Sequence, residues 1–127
     1  MEPTTPTSQY KAIAQMYFDG LAEKDLSAVP WAEDAAFRAP LNPKGGAEVP
    51  ILGKDHIRAF LNPLLPALAK VEVLRHYLSE DGVCTRANVW LATDPPRVLR
   101  VVDCFRISNG KIVEQENHYD PRPALGH

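Results

Sequence analysis

The 127-residue chain is notable first for what it lacks. No apolar run approaches the length of a membrane span, so a membrane is not an expected partner. Lys and Arg number 14 against 16 Asp and Glu, for a net charge of -2, and no basic block occurs. Phosphate binding needs clustered cations, so nucleic acid is not an expected partner either. There are only two cysteines, and no Cys or His pair has zinc-like spacing; neither a metal nor a cofactor is expected. The opening Met-Glu-Pro-Thr-Thr-Pro-Thr lacks the charged and apolar regions of a signal peptide, which makes a cytoplasmic location the expectation. No internal repeat is present.

What is there suits one globular domain: 45% hydrophobic and 24% charged residues over a length that can bury a real core. Residues 1–7 read as a loose tail, 8–121 as a single domain and 122–127 as a C-terminal tail. Thr7 or Ser8 can cap a helix running to about Lys24, with Ile13, Met16, Tyr17, Gly20 and Leu21 on one apolar stripe. A short second helix is expected over 25–29, ended by Pro30, and a short strand over 35–39. A Pro/Gly-rich loop spans 40–53, and a third helix runs from Lys54 to Leu61. Four strands follow at about 70–79, 83–92, 97–107 and 111–119, punctuated by Glu80-Asp81-Gly82, Asp94-Pro95-Pro96 and Ser108-Asn109-Gly110. Helices first and a meander after them predict an α+β fold.

The hairpin of the second and third of these strands carries the first functional signal. Side chains alternate along a strand, so Arg86, Asn88 and Trp90 share one face. With the turn centred on Asp94-Pro95, Arg86 sits across from Asp103 or its neighbour, and two charges inside a small protein are costly unless paired or used. This register puts Arg86, Asn88, Trp90, Asp103 and Asn117 inward as the polar floor of a pocket. In it burial favours Asp103 as a protonated donor to an oxyanion, whereas Arg86 opposite favours the ionised carboxylate, which is the expected state. The same parity puts Cys84 and Cys104 on opposite faces, against a disulfide. It also leaves Ala87, Val89, Leu91 and Val102 outside, an apolar column that a second copy of the chain would cover; a homodimer is expected.

Taken in series, the segments look familiar: a helix, then Trp31-Ala32-Glu33-Asp34-Ala35-Ala36-Phe37, a Pro/Gly loop, Gly53-Lys54-Asp55-His56-Ile57-Arg58-Ala59-Phe60, and a meander ending in Asp103-Cys104-Phe105-Arg106-Ile107-Ser108-Asn109-Gly110-Lys111-Ile112. This order resembles the nuclear transport factor 2-like superfamily, which includes ketosteroid isomerases, SnoaL-like polyketide cyclases and limonene epoxide hydrolases. The resemblance covers roughly residues 8–120. It implies a cone-shaped α+β barrel, a curved and mainly antiparallel sheet wrapped around N-terminal helices, with a deep apolar pocket and frequent dimers.

The resemblance also implies roles. Ketosteroid isomerases use a helix tyrosine and a strand acid as an oxyanion hole; Tyr17 and Asp103 fall at those positions, whereas Ala39 stands where their carboxylate base would be. Of the epoxide hydrolase set only Arg86 survives, since Asn88 and Asn117 replace its aspartates. Tyr17, Asp103, Arg86 and His76 are therefore the catalytic candidates. His76 qualifies if it points inward, because its pKa lies near neutrality. Asn88, Asn117, Trp90, Phe60, Phe37, Phe105 and Tyr119 are candidates for binding a small-molecule ligand. Each has a structural alternative: an ion pair for Arg86 and Asp103, core packing for the aromatics. Two functions stay open. One is acid-base isomerase, cyclase or lyase chemistry on a small apolar carbonyl compound; the other is ligand binding without turnover. Epoxide hydrolysis is disfavoured by Asn88 and Asn117.

Overall fold

Residues 7–126 are described in a computed structural model of the chain. Residues 1–6, most of the expected N-terminal tail, and residue 127 lie outside them. Helix α1 (Thr7–Glu23) buries Tyr10, Ile13, Ala14, Tyr17, Phe18 and Leu21, one helical stripe. Met16, expected in that stripe, is 38% exposed on its flank. The helix ends where Lys24 turns left-handed and the Asp25 N–H donates back to the Gly20 carbonyl. No helix follows over 25–29. Asp25 instead accepts a hydrogen bond from the Ser27 backbone, a local turn that competes with helix.

Strand β1 (Trp31–Arg38) is longer than the short strand expected. It leads through a loop to the two-residue β2 (Ile51–Leu52) and to α2 (Lys54–Leu61), whose buried face is Ile57 and Leu61. A short 3-10 stretch (Asn62–Ala67) carrying two prolines precedes the meander β3 (Leu68–Leu78), β4 (Gly82–Leu91), β5 (Arg97–Ser108) and β6 (Lys111–His118). Residues beyond the expected domain boundary form a one-turn helix, α3 (Arg122–Leu125).

One six-stranded sheet results, ordered β2-β1-β6-β5-β4-β3. All neighbours are antiparallel except β1 and β6. The fold is thus α+β, with a curved sheet that stays open at β2 and β3 rather than closing as a barrel. Register breaks in β1, β3 and the β5–β6 pairing mark bulges, which bend strands and deepen curvature. Asn109 and Gly110, both at positive φ, make the tight β5–β6 turn. Gly82 opens β4 because the β5 backbone lies against it: a Cβ there would sit 1.8 Å from the Phe105 carbonyl oxygen.

The register of the β4–β5 hairpin departs from the expected one by a single residue. Leu91 pairs with Arg97, leaving five residues in the loop, so Arg86 faces Val102 and Asp103 faces Thr85. A one-residue slip moves every side chain of a strand to the other face. Val83, Thr85, Ala87, Val89 and Leu91 are therefore the buried side of β4, while Arg86, Asn88 and Trp90 stand on the outer side. The expected outer column of Ala87, Val89 and Leu91 is core, and of it only Val102 remains outside. Cys84 and Cys104, expected on opposite faces, are directly opposed on the outer face with their Sγ atoms 3.0 Å apart, as free thiols.

Candidate functional site

The correct register lays a polar row across the concave face: His76, Thr85, Asp103 and Asn117 are successive cross-strand partners on β3, β4, β5 and β6. The row divides in two. His76 and Thr85 serve each other, Nδ1 to Oγ1 at 2.8 Å, and Nε2 of His76 meets Oε1 of Gln15 on α1 at 3.2 Å. Burial, then the charge of Lys11, pushes His76 below its ordinary pKa. His76 thus points to the concave side but sits against α1, outside the cavity lining.

Asp103 and Asn117 belong to a cavity of about 580 Å³ between the sheet, α1, α2 and the chain end. Its walls are leucines, valines and aromatics, and Asp103 lies at its base, 1% exposed. The carboxyl is held by a donor chain. Trp31 Nε1 donates to Gln115 Oε1 at 2.9 Å, and Gln115 Nε2 donates to Asp103 Oδ2 at 3.2 Å. Since an indole N–H can only donate, Trp31 fixes the Gln115 amide with its NH2 toward the carboxyl. The other oxygen, Asp103 Oδ1, is buried with no hydrogen-bond partner among the described residues; the amide of its cross-strand neighbour Asn117 favours the charged carboxyl without closing such a bond. Such an oxygen is costly unless something else supplies the bond.

Among the described residues no cation offsets this burial, because Arg86 is exposed on the opposite face of the sheet. Asp103, expected to stay ionised beside Arg86, is instead pushed up to about 7. Burial raises it, and the amides of Asn117 and Gln115 partly oppose the rise. The titratable groups around it are two phenols. Tyr17, from α1, is fully buried; burial and then the Asp103 charge raise it well above the ordinary tyrosine value, against hydrogen bonds with Asn117 and Gln115. Its ring is fixed edge-on by Phe18, Trp31 and Phe105, with centroids 5.0, 6.1 and 5.7 Å away. Tyr119, just after β6, is raised by burial and by Asp103.

Of the sequence candidates, the structure brings together Tyr17, Asp103, Asn117, Tyr119 and Phe60 around the cavity. Phe37 and Phe105 are buried beside it as packing, Phe37 against Phe60 and Phe105 against Tyr17. Arg86, Asn88 and Trp90 are removed to the outer face by the register slip, where Asn88 donates to Glu72 at 3.1 Å. Gln115 and Trp31, which position the carboxyl, were not anticipated. Gln115 is two residues from Asn117 on one strand and could have been placed with it by parity.

The sequence over residues 14–115 matches the model of the SnoaL-like domain. The chain belongs to the SnoaL-like domain family. Its fold is similar to solved structures, all at identities that speak to fold alone. One, from Jannaschia sp. CCS1 and provisionally named a SnoaL-like polyketide cyclase, aligns at TM-score 0.78 and 15% identity over 98% of this chain and 95% of that one. Another, from Bacillus subtilis and provisionally named an isomerase, aligns at TM-score 0.77 and 20% identity over 94% of each chain. A third, AclR from Streptomyces galilaeus, provisionally named a hydroxylase, aligns at TM-score 0.77 and 19% identity over 95% of this chain and 96% of that one. No curated protein matches the sequence.

Proposed function

We propose that this SnoaL-like domain binds a small apolar carbonyl compound and moves a proton next to its carbonyl, as an isomerase, cyclase or lyase would. The observation that carries this reading is Asp103: a buried carboxyl in an apolar cavity, with one oxygen unpartnered and its pKa brought to about 7. Among the described lining residues it alone can both accept and release a proton near neutrality. Ionised, it takes a proton from the carbon beside the carbonyl. The electron pair moves onto the oxygen, which the Tyr17 phenol and the Asn117 amide, both in the cavity lining, would meet with hydrogen bonds. Protonated, it returns the proton to a second carbon. Tyr17 stays protonated throughout because burial holds its hydroxyl.

The test is deuterium exchange at the α-carbon of a panel of apolar cyclic and linear ketones in heavy water, followed by NMR. The wild-type protein should exchange with a midpoint near the Asp103 value, Asp103→Asn should lose exchange, and Tyr17→Phe should slow it roughly 10–1000-fold. Ketones that bind without exchange would favour the second reading, ligand binding without turnover. That reading has its own support: Ala39, at the position of the isomerase base, is buried and offers no second proton acceptor. The epoxide hydrolase reading is set aside, since Arg86 and Asn88 face away from the cavity. A cytoplasmic homodimer completes the proposal. Its interface would be the outer face, where Trp90, Val98 and Val102 are half-buried; light scattering at twice the chain mass would support it and a monomer would refute it.

A further inference from the structure

The cavity is electrically asymmetric, with consequences for what it can hold. Among the described residues its lining contains one acid, Asp103 at the base, and one cation, Arg97 at the mouth. Both lie on β5 with Leu99 and Val101 between them on the same face. They are six residue steps apart, so at roughly 3.2–3.4 Å per step they stand about 20 Å apart at most. The wall along that path is apolar, from Phe60, Leu61 and Leu64 on one side to Val89 and Leu91 on the other. Arg97 is anchored rather than loose. Its backbone N–H donates to Thr93 Oγ1 at 3.0 Å, and Nη1 donates to the Pro123 carbonyl oxygen at 3.2 Å. Among the described residues it has no carboxylate partner. The α3 segment it anchors, Pro123 to Gly126, forms the other lip of the mouth, with Leu125 57% exposed.

We infer that the ligand is an elongated amphiphilic acid, its anionic group held by Arg97 at the mouth, its apolar body along the wall, and its carbonyl or hydroxyl at Asp103. This rests on the proposed function for the base of the cavity and adds the class of molecule. A guanidinium at the rim of an apolar channel, with no carboxylate partner among the described residues, favours a carboxylate over a neutral group. An acid presented the other way round would set its charge against Asp103 in an apolar environment, so the two charges also fix the orientation.

The test compares decanoate with methyl decanoate, equal in chain and differing in charge, by displacement of the neutral dye Nile red. In the wild-type protein decanoate should bind roughly tenfold more tightly, the worth of one charge-assisted hydrogen bond at a wet site. The preference should weaken as ionic strength rises, whereas the ester should be indifferent to salt. Arg97→Gln should abolish the preference without weakening the ester, and Arg97→Lys should keep most of it. Equal binding of acid and ester, or a preference that survives Arg97→Gln, overturns the amphiphile inference and leaves the cavity reading standing. No displacement by either compound overturns both. The salt dependence is read on the wild type and stands even where Arg97→Gln fails to fold.

Discussion

Replacing Asp103 by Asn should make the protein more stable at alkaline pH while removing its proposed chemistry. A carboxyl moved from 3.8 in the unfolded chain to about 7 in the folded one binds its proton more tightly in the native state. The stability linked to that proton is fully present below the unfolded value, falls as pH rises through the interval, and is gone above about 7. At roughly 1.4 kcal/mol per pH unit the interval amounts to about 4 kcal/mol. Asparagine stays neutral, and its carbonyl can still accept from Gln115 Nε2. The variant therefore escapes the loss. Chemical denaturation of both proteins below about pH 3.5 and above about pH 8, outside the interval from 3.8 to about 7, cancels every other titrating group, since both chains share them. The variant should gain stability relative to wild type by about 4 kcal/mol between the two conditions. A difference that does not change with pH would refute the reasoning, because it would mean that the native carboxyl titrates as it does in the unfolded chain.

Three further outcomes follow from the same geometry. Gln115→Leu removes a hydrogen bond to the ionised carboxyl, so the Asp103 midpoint, followed by pH-dependent stability, should move above its wild-type position. Gly82→Ala must push β4 from β5, because the added Cβ would meet the Phe105 carbonyl; a loss of about 1–3 kcal/mol in denaturant unfolding is expected, comparable to overpacking a core. A double-mutant cycle on Arg86→Met and Asp103→Asn should give a coupling within about 0.5 kcal/mol of zero, since the two side chains lie on opposite faces of the sheet; a coupling of several kcal/mol would restore the buried pair.

The sequence by itself determined the elements whose physics is local. The stripe of α1 was legible from its period, α2 was bounded by Gly53 and the Asn62-Pro63 break, and the four meander strands were read from turn residues. Tyr17, Asp103 and Asn117 could be placed inward by parity within their own elements. Tertiary structure alone decided how those elements register. The β4 face was misassigned because the hairpin loop holds an odd number of residues, Ala92 to Pro96, and loop length rather than local alternation sets the pairing. One residue of slip exchanged Arg86 for Thr85 beside Asp103, and with it a salt bridge for a carboxyl without a countercharge. The Trp31–Gln115–Asp103 chain was likewise invisible, since the parallel pairing of β1 with β6 joins residues 84 positions apart. Local sequence fixes which way a side chain points within its strand. Only the assembled sheet decides which charges meet, and so what pKa a buried carboxyl has.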